Sequence, residues 1–463
     1  MMYKRVFLKR GKEESLLRFH PWIFSGALKH IDEGIEEGET VRVVTEKGDF
    51  IAVGHYQQGS IAVRVLTFSD VPIDGNFWES RLLSALQLRQ TLGLALPSPL
   101  TTHHSPLTTH PSPFTNAYRL VHGEGDHLPG LIIDIYGQTA VMQAHSIGMH
   151  LQRHAIAEAL LHVMGDSIGS IYYKSETTLP FMEPENGFIM GSSDENIAVE
   201  NGLKFHVDWI KGQKTGFFVD QRDNRALVER YARDRRVLNM FCYTGGFSFY
   251  AMRGGAKIVH SVDSSAKAIE LTRKNVELNF PGDPRHEAFC DDAFRFLDKA
   301  PSPAPPRGGA VTSADTIEAP SGAVGGAPSA DTIEAPSGAV GGASSTETIE
   351  APSGAVGGAP YDLIILDPPA FAKHRGAIHN ALKGYTRLNN KAFEKIAKGG
   401  ILFTFSCSQV VTKDHFRNAV FTAAAQARRK VRILHQLHQP ADHPVNIYHP
   451  EGEYLKGLVL YVE

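Results

Sequence analysis

Apolar and polar positions along the chain follow three successive patterns. Before residue 75, short apolar runs with alternating polar positions are separated by turn residues, which is typical of strands with one face in a core. The runs are VRVV at 41–44, FIAVGHY at 50–56 and IAVRVLTF at 61–68. They predict a small β-domain over residues 1–75.

Between residues 76 and 195, predicted helices and strands are mixed. The segment 76–95 is expected to be helical, with four leucines on a mostly apolar surface. Strands are expected at GLIIDIY (130–136), TAVMQAHS (139–146) and SIYYK (170–174), with a second helix near 150–164. This mixture predicts an α+β middle domain over residues 76–195.

From residue 196 to 463 the apolar runs no longer alternate with polar residues. Nearly continuous runs are typical of parallel strands that are covered on both faces. They are VLNMF (237–241), KIVHSVD (257–263), DLIILD (362–367) and GILFTFS (400–406). Because helical stretches such as 265–279 lie between them, the pattern predicts a doubly wound, Rossmann-like α/β domain.

Two repetitive segments interrupt these patterns. Within 301–360, the unit DTIEAPSGAVGGAPSA begins at Asp315, recurs at Asp331 and returns altered at Glu347. It has no aromatic residues and is rich in Gly, Ala, Pro and Ser, so a disordered insert is expected rather than a solenoid. SPLTTHHSPLTTHPSP at 98–113 is expected to be a surface loop. Its histidines have no thiol or carboxylate nearby, so no metal site is predicted.

The composition predicts a cytoplasmic protein. Three cysteines, Cys242, Cys290 and Cys407, are too few for a disulfide framework and indicate a reducing compartment. The N-terminus has charged residues but no apolar stretch of a secretory signal. No apolar run is long enough to span a bilayer, so no membrane partner is expected.

The net charge of −3 conceals basic segments. Residues 301–360 carry one base, Arg307, and six acids, a net of −5, which leaves +2 for the remainder. The first 20 residues hold six bases against two acids, and residues 204–236 hold nine against five. Such clusters fit phosphate contacts, although charge runs are more often plain solvated surface.

Candidate chemistry follows the ends of the predicted parallel strands, where doubly wound sheets bind ligands. Thr244-Gly245-Gly246 follow the first strand and open a helix, so the backbone there can approach a ligand. Asp263 ends the second strand, where an acid commonly hydrogen-bonds ribose hydroxyls. Because the glycine pattern is not G-x-G-x-x-G, it counts against a nicotinamide dinucleotide site.

Three more polar groups end the later strands. Asp292 fits an adenine contact and a helix N-cap equally well. Asp367 is followed by two prolines that fix the backbone and is expected to point into the ligand crevice. Cys407 lies between two serines, and it is either a small packing residue or a nucleophile.

Several motifs occur in an order that resembles a known family. They are KTGFFVDQRDNR (214–225), NMFCYTGGF (239–247), DDAFRFL (291–297), DPPAF (367–371) and TFSCS (404–408). Together they resemble the class I S-adenosylmethionine-dependent ribosomal RNA methyltransferases of the large-subunit (23S) cytosine-5 type. RFHPWIFSGAL (18–28) resembles the start of that family's N-terminal PUA domain, a small β-barrel-like RNA-binding module. Residues 117–137 and 442–457 resemble its middle domain and its C-terminal end, whereas the two repetitive segments depart from it.

The resemblance implies a set of contacts to S-adenosylmethionine. The implied residues are Phe218, Asp220, Gln221, Arg222, Tyr243, Thr244, Gly245, Gly246, Asp263, Ser264, Asp292, Ala293, Asp367 and Pro368. Ribosomal RNA is the implied partner, and it is expected to contact Arg18, His20, Trp22, Lys214 and Arg225. A homodimer is compatible with the sequence.

The resemblance also implies covalent catalysis. Carbon-5 of cytosine is a poor nucleophile, and thiolate addition at carbon-6 gives it the carbanion character needed to attack a sulfonium methyl. Cys407 is the predicted nucleophile, and Asp367 is predicted to hydrogen-bond or protonate N3 of the base. The target base must be unpaired or flipped. Cys242 and Cys290 are interpreted as packing residues.

Two other functions stay open at this point. A ribosomal RNA methyltransferase acting on a guanine ring nitrogen or exocyclic amine would share KTGFFVDQR and a DPP-type motif without needing Cys407. Ala370 stands where exocyclic-amine enzymes place an aromatic residue, which weakens that interpretation. A non-catalytic RNA-binding assembly factor would use the PUA-like domain, but the intact cofactor motifs argue against it.

Overall fold

The computed structural model describes residues 3–95, 114–179, 186–303 and 359–463. The predicted loop at 98–113 and nearly all of the predicted insert at 301–360 lie outside these residues. In chain order the described strands are β1 Arg5–Leu8, β2 Trp22–Phe24, β3 Leu28–Ile31, β4 Thr40–Val44, β5 Phe50–Tyr56, β6 Ile61–Thr67, β7 Ala117–His122, β8 Leu131–Tyr136, β9 Thr139–Ala144, β10 Ser170–Lys174, β11 Asn186–Met190, β12 Ile197–Glu200, β13 Leu203–His206, β14 Arg236–Met240, β15 Ile258–Asp263, β16 His286–Cys290, β17 Tyr361–Leu366, β18 Ile396–Ser406, β19 Val431–His438 and β20 Lys456–Val462. The described helices are α1 Glu14–Leu17, α2 Gly75–Thr91, α3 Ile147–Leu151, α4 Arg153–Met164, α5 Arg222–Tyr231, α6 Gly246–Arg253, α7 Ala266–Asn279, α8 Ala293–Lys299, α9 Ile378–Lys395 and α10 Lys413–Gln426.

The first sheet has the order β2-β6-β5-β4-β1-β3 and is antiparallel except for the β1–β4 pair. Alternate valines of β4, Val41 and Val43, lie in its core beside Val6 and Val63. This one-sided burial explains the alternation in the sequence and confirms the predicted N-terminal β-domain.

The second sheet has the order β11-β10-β9-β8-β7, and helices α2 and α4 contact each other over it. Leu82 of α2 and Leu160 of α4 join Ile133 and Ile171 in one fully buried core. Helix α2 begins at an N-cap, because Asp74 accepts a hydrogen bond from the Phe77 amide at 3.0 Å. Helices and strands thus mix in the middle part, as predicted.

The third sheet has the order β16-β15-β14-β17-β18-β20-β19. Strands β14 to β18 are parallel to their neighbours, and β20 is antiparallel to both β18 and β19. Leu363 and Ile365 of β17 enter one core, whereas Ile364 and Leu366 enter another on the opposite face. Burial on both faces explains the unbroken apolar runs and confirms the doubly wound α/β fold. Since the strand order reverses between β14 and β17, a crevice opens at their carboxyl ends.

A buried carboxylate joins the second and third sheets. Asp442 accepts both Nη groups of Arg222, at 2.8 and 2.9 Å, and the backbone amide of Arg119 in β7 at 3.0 Å. Its own backbone oxygen accepts a hydrogen bond from buried Arg89 of α2 at 2.8 Å. Asp442 is therefore one of the residues that fasten the middle part to the α/β part.

The predicted domain limit at 195 falls just before β12, whereas the limit at 75 falls on the first residue of α2. They stay predictions. Among the described residues, no helix is long and apolar enough to cross a membrane.

Candidate functional site

A cavity of about 480 Å³ lies at the carboxyl ends of the parallel strands. Its walls come from the segment between β13 and α5, from the ends of β14 and β15, and from the residues after β17 and β18. The predicted residues that line it are Phe218, Asp220, Gln221, Tyr243, Thr244, Gly246, Asp263, Ser264, Asp367, Pro368 and Cys407, together with Lys214 and Arg225. The structure therefore brings together most of the residues that the sequence singled out.

Gly246 forms part of one wall of the cavity, and Gly245 precedes it in the same loop. Gly245 has a φ of +86°, and a Cβ at this position would lie 2.6 Å from the ring of Phe249. Gly246 begins α6, and a Cβ there would lie 3.0 Å from Cδ of Arg225. Glycine is required because the loop must adopt a left-handed conformation against packed side chains. Gly245 itself packs behind the loop rather than on the cavity wall.

Asp263 holds the glycine loop in place. Its two carboxylate oxygens accept hydrogen bonds from the backbone amides of Tyr243 and Ser265, each at 2.9 Å. Each oxygen keeps a further lone pair. The carboxylate thus fixes the loop and can also accept a ribose hydroxyl.

Asp220 presents a buried acceptor that has no partner. Its Oδ2 accepts from Nζ of Lys214 at 3.1 Å and from the hydroxyl of Tyr454 at 2.7 Å, whereas Oδ1 has no hydrogen-bond partner among the described residues. Burial raises the pKa of Asp220, but the charges of Lys214 and His443 and the Tyr454 hydrogen bond outweigh it and leave the pKa lowered. An ionised, unsatisfied oxygen in a cavity requires a cationic or N–H partner.

These features fit S-adenosylmethionine. The free Oδ1 of Asp220 suits the ammonium of its methionine part, the glycine loop permits close approach of the backbone, and Asp263 suits the ribose. A nicotinamide dinucleotide lacks an ammonium group for Asp220. The cavity therefore fits the predicted cofactor.

Asp367 and Cys407 lie next to each other on the cavity wall. They follow β17 and β18, which pair with Leu366 opposite Thr404. Burial and the charge of Asp220 raise the pKa of Asp367 to about 7, while a hydrogen bond from Gln221 acts to lower it. Burial and the charge of Asp367 raise the pKa of Cys407 to about 11. Asp367 can therefore carry a proton near neutral pH, while the Cys407 thiol needs help to ionise.

Gln221 is oriented by its neighbour in α5. Its side-chain oxygen accepts a hydrogen bond from Nδ2 of Asn224 at 2.6 Å, so its amide nitrogen is left to donate to Asp367. The FVDQR motif thus supplies one charged acceptor and one donor to the same cavity.

Besides Gly245, three predicted cofactor residues lie away from the cavity lining. Arg222 is buried and paired with Asp442, so its guanidinium helps to connect the middle part to the α/β part. Asp292 is an N-cap of α8, accepting from the amides of Phe294 and Arg295, each at 3.0 Å. Ala293 follows it as the first residue of α8 and is buried.

The two basic residues predicted to bind RNA inside KTGFFVDQRDNR have other partners. Arg225 is only 2% exposed, and its guanidinium is paired with buried Glu200 at 2.7 and 2.6 Å. This burial does not fit an RNA contact, and Arg225 instead supports Gly246. Lys214 is half exposed, pairs with Asp220 and lies 4.5 Å from the ring of Phe218. It belongs to the cavity.

The N-terminal candidates lie in an aromatic surface made of Phe19, His20, Trp22, Phe24, Ile447 and Tyr448. The ring of Phe19 lies 5.3 Å from those of Phe68 and Tyr448, and the ring of Trp22 lies 4.2 Å from His449. Ile447 is 85% exposed, and Phe19, Phe24 and Tyr448 are about half exposed. Arg18 is exposed beside it.

The other two cysteines differ from each other. Cys242 is buried with Ile269 and Ala288 and lines the cavity, and burial raises the pKa of its thiol further than that of Cys407. The interpretation of Cys290 as a packing residue is wrong, because its side chain is exposed at the end of β16.

Tyr454 and Lys456 were not predicted from the sequence. Tyr454 donates to Asp220, and Lys456 lies under the segment that carries Cys407. Both fall in EGEYLKG, within a stretch noted only for resembling the end of the family's domain. Within the described ranges, no group of His, Cys, Asp or Glu side chains is arranged to hold a metal ion.

Comparison with known families agrees with the geometry. Residues 6–68 match a PUA-like domain, and residues 187–300 match an S-adenosylmethionine-dependent methyltransferase. A solved S-adenosylmethionine-dependent methyltransferase from Streptococcus mutans has the same fold, with a TM-score of 0.72 at 19% identity over 100% of both chains. A solved methyltransferase complexed with SAH gives the same values. Fold and site therefore define an S-adenosylmethionine-dependent methyltransferase with an N-terminal PUA-like domain.

Curated relatives specify the family. The chain is 36% identical to ribosomal RNA large subunit methyltransferase I of Tolumonas auensis over 467 residues, which is 99% of each chain. It is 34% identical to the proteins of that name from Klebsiella pneumoniae and Escherichia coli, over 100% of this chain and at least 99% of theirs. The chain belongs to the ribosomal RNA large subunit methyltransferase I family.

Proposed function

We propose that this enzyme methylates carbon-5 of a cytosine in large-subunit ribosomal RNA, with Cys407 as the nucleophile. The observation that carries the proposal is the position of Cys407 beside Asp367 on the wall of the cofactor cavity. The names of the relatives support ribosomal RNA of the large subunit as substrate. A homodimer stays a prediction.

The cofactor has a defined place in this proposal. When bound, S-adenosylmethionine supplies its methyl group as a carbon electrophile. Asp220 would hold its ammonium and Asp263 its ribose, while the backbone at Gly246 would lie against it. Lys214 and Tyr454 hold Oδ2 of Asp220, which leaves Oδ1 to accept from the cofactor.

Cys407 acts on the RNA base itself. Its sulfur forms a bond to carbon-6, and the electron pair of the 5,6 double bond moves toward carbon-5, which becomes nucleophilic. After carbon-5 has gained the methyl group, its proton leaves to a base. The electron pair then restores the double bond, and the bond from sulfur to carbon-6 breaks to return the thiolate.

Asp367 suits the proton at N3 of the base. With a pKa of about 7, a substantial fraction of its side chain is protonated at neutral pH, and it can donate that proton as carbon-6 is attacked. Negative charge developing on the ring is thereby neutralised. The proton returns to Asp367 when the double bond is restored, so the balance closes.

The guanine-modifying alternative has less support from the residues present. The ring of Phe371, the aromatic residue nearest to the DPP motif, lies 4.6 Å from that of Tyr385 and packs against the core. Core packing therefore accounts for this ring without a contact to a target base. Such an enzyme would also leave Cys407 without a role in the cavity.

The aromatic surface gives the RNA a second contact. Exposed rings beside Arg18 suit unpaired bases, which stack on aromatic side chains while arginine meets the phosphates. Trp22 and His20 are part of this surface, and its other members, Phe19, Phe24, Ile447 and Tyr448, were not singled out from the sequence. Unpaired RNA is also the form in which a cytosine can enter the cavity.

The test is nucleoside mass spectrometry of deproteinised large-subunit RNA incubated with the protein and methyl-labelled S-adenosylmethionine. We expect label in 5-methylcytosine with the native protein and with Cys290→Ala, whose thiol is exposed outside the cavity. Cys407→Ala should lose at least about three orders of magnitude in rate while still binding the cofactor. Label in a methylguanosine, or full activity of Cys407→Ala, would overturn the proposal.

A further inference from the structure

The Cys407 thiol needs a positive charge close to it. Only the thiolate is nucleophilic, and here burial and the carboxylate of Asp367 both favour the neutral thiol. Asp220 acts in the same direction, and Lys214 acts against it. Lys214, however, is half exposed and already paired with Asp220, so much of its field is compensated.

Lys456 supplies a second cation next to the segment that carries the thiol. It is the first residue of β20 and lies opposite Ser406 in the antiparallel pair with β18. Its side chain is only 6% exposed. The strand pairing therefore places Lys456 beside Ser406, the residue just before Cys407, and shields the lysine side chain from solvent.

The Lys456 side chain donates hydrogen bonds to the segment that carries the thiol. Nζ donates to the backbone oxygens of Ser408 and Val411, both at 2.6 Å. An ammonium has three N–H groups, so one is left beyond these two. Among the described residues, these two carbonyls are the hydrogen-bond partners of Nζ. Glu453 is the acid that acts on Lys456 electrostatically, and it is itself paired with Lys413 at 2.7 Å. The charge of Lys456 is thus not neutralised by a carboxylate.

We propose that Lys456 is a positioning residue that fixes the Cys407–Val411 segment and stabilises the Cys407 thiolate with its ammonium. The proposal rests on the proposed role of Cys407 as nucleophile. Burial lowers the pKa of Lys456 to about 8, and the negative charge of Cys407 acts against this lowering, while Lys214 is the cation with the larger effect on the thiol itself. An ammonium beside a thiolate in a desolvated site stabilises it more than it would in water.

The test measures the thiol directly. The rate of iodoacetamide alkylation of Cys407 is followed from pH 6 to 10, with the Cys407 peptide quantified by mass spectrometry so that Cys242 and Cys290 need not be removed. We expect Lys456→Gln, which keeps N–H donors without the charge, to raise the apparent thiol pKa by about one unit and slow alkylation at pH 7.5 about tenfold. Lys456→Arg should restore most of the rate.

Lys29→Met is the matched control, since this lysine of β3 is exposed and paired with Glu46 in the first sheet. It should alkylate like the native protein. Each variant is first checked for cofactor binding, and if Lys456→Gln does not fold, the arginine variant is compared with Lys456→Met. An unchanged alkylation rate at pH 7.5 in a folded, uncharged variant would overturn the proposal. Because alkylation needs no RNA, this outcome is distinct from failure of the methylation experiment.

Discussion

The carboxylate of Asp367 raises the pKa of the neighbouring Cys407 thiol, and both follow adjacent parallel strands at one edge of the sheet. A proton on Asp367 therefore favours the thiolate, because it removes the opposing charge. Protonation of Asp367 and ionisation of Cys407 thus favour each other, so the two roles proposed for them support each other.

Asp367→Asn should separate these roles. Without the carboxylate, the Cys407 pKa should fall and alkylation at neutral pH should quicken, while methylation slows because no proton can be donated. The native pH–rate profile should rise about tenfold per unit up to pH 7 and then level, since above the Asp367 pKa of about 7 the gain in thiolate is offset by loss of the protonated acid. The variant should show no levelling there. Glu270→Gln, on the exposed face of α7, is the control, and a break at pH 7 in Asp367→Asn would contradict the assignment.

Asp220→Asn should weaken cofactor binding. It removes the charge that the unpartnered Oδ1 offers, and a hydrogen bond between charged groups contributes about 1.5–3 kcal/mol, or about 10- to 150-fold in affinity. Isothermal titration calorimetry with S-adenosylmethionine measures the change. Asp223→Asn, an exposed carboxylate three residues along the chain, should bind as the native protein does. Equal affinities of the two variants would contradict the place assigned to the ammonium.

Gly245→Ala should both destabilise the protein and weaken cofactor binding. The Cβ of the alanine would lie 2.6 Å from the Phe249 ring, and the alanine would also have to adopt the positive φ of +86°. Gly282→Ala is a matched control, because its φ is +68° but no atom lies within 4 Å of the added Cβ. We expect about 1–2 kcal/mol from the backbone alone at Gly282 and clearly more at Gly245 in denaturant unfolding. Equal losses would show that the packing against Phe249 adds nothing.

Asp442→Ala should lower the free energy of unfolding by about 3–5 kcal/mol, because it leaves Arg222 buried without its partner. Chemical denaturation followed by circular dichroism measures this loss. Removing the exposed Lys274–Glu270 pair with Lys274→Ala should change little. A loss of less than about 1 kcal/mol for Asp442→Ala would contradict the idea that this residue fastens the two sheets.

Removing rings from the aromatic surface should weaken RNA binding without affecting the cofactor. Phe19→Ala and Tyr448→Ala should each cost about 1–3 kcal/mol in affinity for a single-stranded RNA fragment, as the loss of one stacked base does. Phe421, which is 71% exposed on α10, offers a control of the same chemistry. If Phe421→Ala weakens binding as much, the surface has no special role. An increase in KM with an unchanged kcat would place its effect on binding alone.

The sequence predicts the parts of this protein in which local pattern and burial agree. Runs such as DLIILD are buried on both faces, so they predict parallel strands, and the polar residues at their ends then follow from topology. Asp263, Asp367 and Cys407 were found in this way. The alternating runs of the first sheet predict strands as well, because those strands bury one face in the core.

Other residues depend on contacts between distant segments. Arg222 and Arg225 share one motif with Asp220 and Gln221, but their helix turns them toward Asp442 and Glu200. Nothing local distinguishes an arginine that meets RNA from one that meets a buried acid. Lys456 enters the site only because β20 runs antiparallel beside β18, a pairing that its own sequence does not specify.

Ala300 and Ala359 lie near the amino-terminal ends of the parallel strands, at the end of the third sheet opposite the cavity. The backbone oxygen of Ala300 accepts a hydrogen bond from Lys395, and that of Ala359 accepts one from Arg236, the residue that begins β14. The cavity lies at the other end of that strand, roughly 15 Å away at 3.3 Å per residue. A fluorescent or affinity domain inserted between residues 303 and 359 would therefore leave the site untouched, so this end serves as an attachment point for imaging the enzyme on its substrate.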